Sequence, residues 1–304
     1  MRDEQKLPTA PDPGRVIFVA EVASNHARDL DRALAFVDTA AEIGCDVVKF
    51  QLFRVRELFA AEVLAGSATH RAREAWELPE AFVPILAERA RARGLGFSCT
   101  PFHLDAVDLL APCVDFLKIA SYELLWEDLL RACARSGLPV VLSTGMATLA
   151  EVEHAARVLA ANGCRDLGLL HCVSLYPTPP SAANLGALGT LRALAPALPG
   201  VRLRIGWSDH SADPAVVLRA VHRHGAEIVE LHLDLDGAGA EFEPGHCWLP
   251  ERAAETIRLV RTGLAADGDG TKEPDAGEAD ERAWRADPAD GLRPLRTTRA
   301  GLAA

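Results

Sequence analysis

Lys49, Lys118, His210 and His232 are the residues of this sequence whose type and spacing point most directly to chemistry. Lys49, Lys118 and His232 each close a short apolar run, as do Glu21, Thr100, Ser143, His171 and Ser208, and His210 stands two residues past the run that Ser208 closes. A lysine in such a run is costly to bury unless it is paired or hydrogen-bonded. One lysine alone reads as well as an inward group capped by a glutamate. Two of them favour a pocket for a carboxylate or phosphate, with a Schiff-base lysine as the other reading. Thr100, Ser121, Ser143, Thr144, Ser174 and Ser208 add hydroxyls, the usual neutral donors to phosphate. Taken singly, each reads as a turn or cap residue. His210 and His232 follow successive runs and suit a divalent ion with open coordination positions. Hydrogen-bonded histidines without a metal are the alternative. Glu21 and Glu123 are candidates for proton transfer or for holding a hydroxylated substrate, against the plainer reading of a salt bridge with a lysine. Glu230 shares a strand face with His232 and is placed to orient it or to hold Lys49. His171 reads either as a third metal ligand or as a buried neutral ring.

Holding these residues together takes eight strands, and the sequence offers eight apolar runs: 16–21, 47–49, 96–100, 116–118, 140–143, 168–171, 201–208 and 228–232. Helical spacing fills the gaps between them. Asp29 opens a helix in which Leu30, Leu34 and Val37 repeat, and Thr148 with Glu151 forms a capping box. Residues 52–77 read as a longer excursion, a loop with short helix. Gly44, Gly94, Gly137, Gly163, Gly200 and Gly225 each stand a few residues before a run, where a glycine closes a helix. Eight strand–helix units over about 250 residues predict an α/β fold, a TIM (β/α)8 barrel, with its active site where the strands end. A doubly wound open sheet is the rival. It more often carries a glycine-rich phosphate loop after the first strand; here the segment after Glu21 is VASNHARDL. The expected organisation is an N-terminal arm over 1–15, the barrel over 16–265, and a charged extension over 266–304. Trp284, Leu292 and Leu295 are the extension's groups for docking.

The chain has 304 residues and a formal net charge of −11, which argues against non-specific nucleic-acid binding. An acidic protein still binds an anion where it gathers cations in one pocket. The seven cysteines form no C-x-x-C pair, so neither a disulfide framework nor a zinc ribbon is expected, and a reducing cytoplasm is the simplest setting. The first residues lack the apolar stretch of a signal peptide, and no run approaches the ~18 apolar residues that span a membrane.

Eight motifs then occur in order: AEVASNH at 20–26, DVVKFQ at 46–51, CTPF at 99–102, LKIAS at 117–121, VVLSTGMAT at 140–148, LLHCVSLYPTP at 169–179, WSDHS at 207–211 and ELHLDLD at 230–236. Together they resemble the sialic acid (N-acetylneuraminate) synthase family, including the pseudaminic and legionaminic acid synthases. The resemblance implies a TIM barrel that condenses phosphoenolpyruvate with an amino-sugar aldehyde, giving a 2-keto-3-deoxy sugar acid and phosphate. By resemblance, Lys49, Thr100, Lys118, Ser121, Ser143, Tyr176 and Ser208 hold phosphoenolpyruvate, and Ser174 stands where some members have asparagine. His210 and His232 match the two histidines that bind a divalent ion, manganese, with magnesium as the alternative. Glu21 and Glu123 match carboxylates near the sugar, and a homodimer is implied.

Two departures stand out. After the second histidine, members read something like HFTLDR…GPDH, whereas this chain reads HLDLDGAGAEFEPGHCWLP. Gly237 replaces the arginine. The aspartate that contacts sugar hydroxyls has no clear match, leaving Glu241, Glu243 or His246, of which Glu243 is the choice here. The resemblance also ends near residue 265, so the family's small C-terminal antifreeze-like domain is expected to be missing. A sugar aldolase or isomerase on the same barrel, or a non-catalytic sugar-binding partner of a synthase, are the alternatives.

Overall fold

In a computed structural model that describes residues 16–302, the strands are β1 Ile17–Glu21, β2 Val47–Leu52, β3 Gly96–Pro101, β4 Phe116–Ile119, β5 Val140–Ser143, β6 Asp166–Cys172, β7 Arg202–Asp209 and β8 Ile228–His232. All pair in parallel and in chain order, and β1 closes on β8. This is the TIM barrel expected from the eight runs. The segment read as an N-terminal arm lies outside the described residues.

Strand periodicity sorts each strand into two faces. One face, with Phe18, Phe50, Leu117, Leu142 and Trp207 among others, packs under the helices in the main core. The other points into the barrel, where Ile17, Val19, Val47, Phe116, Val141, Leu170 and Ile228 form a small apolar plug. Two residues further along the same face, the inward positions change character. Val19 gives way to Glu21, Val47 to Lys49, Phe116 to Lys118, Val141 to Ser143 and Ile228 to Glu230. The barrel is therefore sealed below and polar above. Gly206 marks its tightest point: a Cβ there would collide with the Ile228 carbonyl and the Leu170 side chain.

The helices start where their caps allow. Asp29 accepts from Arg32 N at the head of Leu30–Glu42, and the Thr148–Glu151 capping box opens Leu149–Ala161. After β2 the chain makes an excursion through short helices at Val55–Leu58, Ala61–Gly66 and Ala68–Ala72 and a tight turn at Arg73–Trp76. Among the strand exits with non-glycine residues in the left-handed region are those at Ala23 (φ 49°) and Ala212 (φ 49°). Each costs about 1–3 kcal/mol and is held by a carboxylate: Ala23 N donates to Glu21 Oε1 at 3.0 Å, and Ala212 N to Asp209 Oδ2 at 3.0 Å. Ala265–Ala304 forms a second compact unit with short helices at Ala279–Ala283 and Arg296–Leu302, tied by Asp287 accepting from Arg296 N at 2.8 Å. No helix among the described residues is long and apolar enough to cross a membrane. The seven cysteines are free.

Candidate active site

The polar mouth of the barrel opens into a cavity of about 810 Å³. Its floor is a buried charge cluster. Register places Glu21 beside Lys49 on β2 and beside His232 on β8, and the Glu21 carboxylate pairs with the Lys49 ammonium. Glu230 lies 3.7 Å from Lys49 and 3.9 Å from Lys118, so it sits between the two cations. Lys49 Nζ also donates to Thr100 Oγ1 at 3.3 Å; Lys118 Nζ donates to Ser143 Oγ at 2.7 Å and to Ile119 O at 3.0 Å. Ser208 Oγ donates to Glu230 Oε1 at 3.2 Å. Two lysines are thus matched by two carboxylates, which keeps the cluster affordable in a dry interior.

These pairings bear on the residues that had two readings. Glu230 holds the lysines. Burial alone would raise its carboxyl, but Lys118 and Lys49 outweigh that and keep it below the usual carboxylate range. Burial pulls the Lys49 ammonium down to about 8, and the Glu230 charge works against the drop. Glu21 is fully engaged, since its Oε1 accepts from Gln51 Nε2 at 2.8 Å as well as from Ala23 N. Glu123 differs. It lines the cavity on the short turn after β4, its Oε2 is buried without a partner, and burial raises its carboxyl to about 7 while the Lys118 charge opposes this. A carboxyl raised this far is matched to proton transfer near neutral pH.

The opposite side of the mouth is made of imidazoles. His210 and His232 have ring centres 5.1 Å apart. The His210 Nδ1 meets Val173 O at 2.8 Å. A carbonyl only accepts, so Nδ1 carries the proton and Nε2 keeps its lone pair. His232 Nδ1 is buried without a hydrogen-bond partner. Burial lowers the pKa of both rings, His232 well below its ordinary value, so both are neutral and able to ligate. Neutral, clustered and partly unpartnered imidazoles fit a divalent ion.

Of the residues singled out in the sequence, Glu21, Lys49, Thr100, Lys118, Ser121, Glu123, Ser143, Tyr176, Ser208, His210 and His232 all line this cavity. Glu243 and Ser174 differ from expectation, and His171 follows the second of its two readings. Glu243 is exposed and outside the cavity wall, whereas Glu241 lines it. The reason is the loop after β8. Asn25 Oδ1 accepts from Glu241 N at 2.8 Å, and Ser24 N donates to Glu241 Oε1 at 3.2 Å, which turns Glu241 inward and Glu243 out. Ser174 is not in the wall. It stands against Gly145, where a Cβ would collide with its hydroxyl. His171 points away from the cavity, its Nε2 meeting Ala183 O at 3.0 Å and its ring lying 5.4 Å from Trp207. Tyr176 packs on His210 with ring centres 4.2 Å apart, nearer the histidines than its assignment to the anion implies.

His246, one of the three alternatives for the missing aspartate, is in the wall; other wall residues went unread in the sequence: Gln51, Cys172 and, at the outer rim, Phe59, His70, Arg73 and Trp76. Gln51 was accessible to reasoning, since it follows Lys49 by two on the same strand face. The Arg73 guanidinium lies 5.1 Å from the Trp76 ring and 5.6 Å from Phe59, so the excursion after β2 gives the cavity an aromatic outer wall.

Residues 36–272 match the model of the NeuB family. The chain is 35% identical to an uncharacterized protein of Methanocaldococcus jannaschii, over 86% of this chain and 75% of that one. It is 30% identical to the N,N'-diacetyllegionaminic acid synthase of Campylobacter jejuni, over 87% of this chain and 81% of the relative. Among solved structures, the N-acetylneuraminic acid (sialic acid) synthetase of Leptospira borgpetersenii, crystallised with citrate, superimposes with a TM-score of 0.76 at 33% identity, covering 88% of this chain and 90% of the other.

Proposed function

Since the chain belongs to the NeuB family, we propose that it is a nonulosonic acid synthase-like transferase: it joins phosphoenolpyruvate to an aldose and releases a 2-keto-3-deoxy sugar acid and phosphate. The observation that carries this reading is the pairing of two halves in one cavity. Buried lysines ringed by hydroxyls suit the anion; neutral imidazoles beside them suit an ion that engages the aldehyde.

In this reading Lys49, Lys118, Thr100, Ser121, Ser143 and Ser208 hold the phosphate and carboxylate of phosphoenolpyruvate. Because Glu21 and Glu230 already balance the lysines, the ammonium groups are fixed in place before the ligand arrives, and positioning is gained without reorganisation. Synthases of this family depend on a metal ion; His210 and His232 would hold it, manganese in our reading, and when bound it supplies Lewis-acid polarisation of the aldehyde. Carbon 3 of phosphoenolpyruvate attacks the aldehyde carbon, and Glu123 gives its proton to the oxygen that becomes a hydroxyl. Positive charge is left at carbon 2. Water adds there and Glu123 takes back one of its protons; the C–O bond to phosphate then breaks, the remaining hydroxyl proton leaves with the phosphate, and the ketone is left. Glu21, pinned by Lys49, Gln51 and Ala23, is a positioning group in this scheme. Ser174 stands behind Gly145, whose N–H is held by Ser121 Oγ at 2.9 Å. The reading includes a cytoplasmic homodimer.

The experiment is phosphate release from phosphoenolpyruvate, measured with Mn²⁺ across a panel of aldoses including 2-acetamido sugars. Release that depends on one acceptor supports the reading. A borohydride-trapped Schiff base at Lys118 would replace it with an aldolase. Glu241 is assigned to acceptor hydroxyls, and burial raises its carboxyl, so a shared proton or hydroxyl contact suits it. Glu241→Gln raises the acceptor KM about tenfold, the loss of one hydrogen bond to a charged group, and leaves the phosphoenolpyruvate KM unchanged. A parallel rise in both would remove Glu241 from the sugar site.

A further inference from the structure

We propose that His246 is a third imidazole ligand of the metal centre, beside His210 and His232. The inference rests on the reading above, in which those two residues hold the ion, and it extends that reading to a residue on the irregular loop after β8.

The backbone brings His246 back to the site. Trp248 N donates to His232 O at 2.7 Å and Asp234 N to Trp248 O at 2.9 Å, so the segment 246–248 returns alongside the end of β8. Trp248 is fixed in turn by its indole N–H, which donates to Asp209 Oδ2 at 2.9 Å. Asn25 Nδ2 donates to Leu233 O at 3.0 Å and clamps the same loop. His246 is buried, and its placement is therefore set by the fold rather than by a freely moving loop.

Ring geometry follows. An ion held by imidazole nitrogens at about 2.0–2.1 Å lies about 3 Å from each ring centre. Two such rings at tetrahedral to octahedral angles then stand about 4.5–5.2 Å apart. His210–His232 measures 5.1 Å and His232–His246 measures 4.8 Å. His210–His246, at 6.0 Å, is the wider pair across the centre. His232, His246 and Cys247 also have ligand atoms all within 4.8 Å of one another. Cys247 is committed elsewhere, since its thiol donates to Glu241 O at 3.2 Å. Both His232 Nδ1 and His246 Nδ1 are buried without partners, and a ring so placed gains from a ligand that accepts its lone pair. The Glu241 carboxyl stands beside both rings, its Oε2 lying 3.8 Å from His232 Nδ1 and 4.0 Å from His246 Nε2.

X-ray absorption of the full-length protein loaded with one equivalent of Zn²⁺ or Co²⁺ tests this without any substitution. Three imidazole scatterers are expected. Two imidazoles with light oxygen donors, or two with a sulfur at about 2.3 Å, would overturn the proposal; in the second case Cys247 fills the position. A Co²⁺ titration of His246→Ala and His246→Asn, each checked for folding by circular dichroism, is expected to show at least a 10-fold weaker Kd, the low end of what even an outer partner of a metal ligand is worth. Unchanged affinity in a folded variant sinks the assignment. Metal binding and phosphate release are separate readouts: a His246-dependent site in a protein that never consumes phosphoenolpyruvate would uphold this inference and remove the proposed function.

Discussion

Lys118→Ala weakens phosphoenolpyruvate binding roughly 100-fold, the cost of truncating one partner in a buried hydrogen-bonded charge pair. The wild-type ammonium is buried, donates to Ser143 Oγ and Ile119 O, and faces Glu230 at 3.9 Å. Its removal takes away one cation for the ligand and leaves Glu230 with Lys49 alone, 3.7 Å away. The second effect is worse than the first, because a carboxylate that two lysines held ionised now competes with the incoming anion for a single one. Calorimetry with phosphoenolpyruvate, in the absence of acceptor, reads this directly. Unaltered affinity would move the anion site off the lysine cluster.

The second large effect belongs to Glu123. Glu123→Gln lowers kcat by about 10²–10⁴-fold, the usual contribution of a positioned proton donor, and removes a pH dependence that the wild type shows. The sign follows from the raised carboxyl. Below about 7 the group is protonated and can give its proton to the aldehyde oxygen; above about 7 it is ionised and cannot. In kcat/KM, which reports the free enzyme, activity therefore falls about tenfold per pH unit above that point. Lys49 adds a further loss. Its ammonium, lowered to about 8, deprotonates next, so kcat/KM for phosphoenolpyruvate steepens above about 8 while kcat does not. A kcat/KM profile that is flat or rising through neutral pH would take Glu123 out of the proton-transfer role.

The anion half of the site was readable in the sequence because it obeys strand periodicity. Lys49, Lys118, Ser143 and Glu230 each follow an inward apolar residue by two, so the same alternation that packs the barrel aims them at its mouth. That rule also separates the two histidines that looked alike. Leu170 and Cys172 point inward on β6, so His171 between them must point outward, where it meets Ala183 and Trp207. His210 lies one residue past β7, beyond the reach of alternation, and is placed by its bond to Val173 O. The residues after β8 were not readable. Their positions depend on Asn25, on the Leu233–Trp248 pairing and on Arg32, whose guanidinium reaches Asp234 at 3.1 Å and Asp236 at 2.9 Å. These contacts span some two hundred residues of chain, and no local pattern announces them. They decide that Glu241 and His246 face the cavity and Glu243 does not.

The same contacts explain where the chain departs from the pattern of its relatives. The barrel mouth carries the ordered motifs, and its cluster of Glu21, Lys49, Lys118 and Glu230 leaves little freedom: each charge is another's partner. The loop after β8 is tied by backbone bonds, by Asn25 and by the pair of Arg32 with the buried Asp234, so its other side chains can change without unpairing that charge. Change of acceptor is cheaper there than change of the anion site.

The central claim is that phosphoenolpyruvate gives up phosphate by C–O cleavage as its carbon 3 joins an aldose. It is tested most directly with phosphoenolpyruvate carrying ¹⁸O in the bridging C2–O position, turned over with the productive acceptor and read by phosphorus NMR. The account predicts that the bridging label leaves with the phosphate and that the product ketone takes its oxygen from water. Label retained in the ketone, or acceptor consumed with no phosphate released, would contradict it.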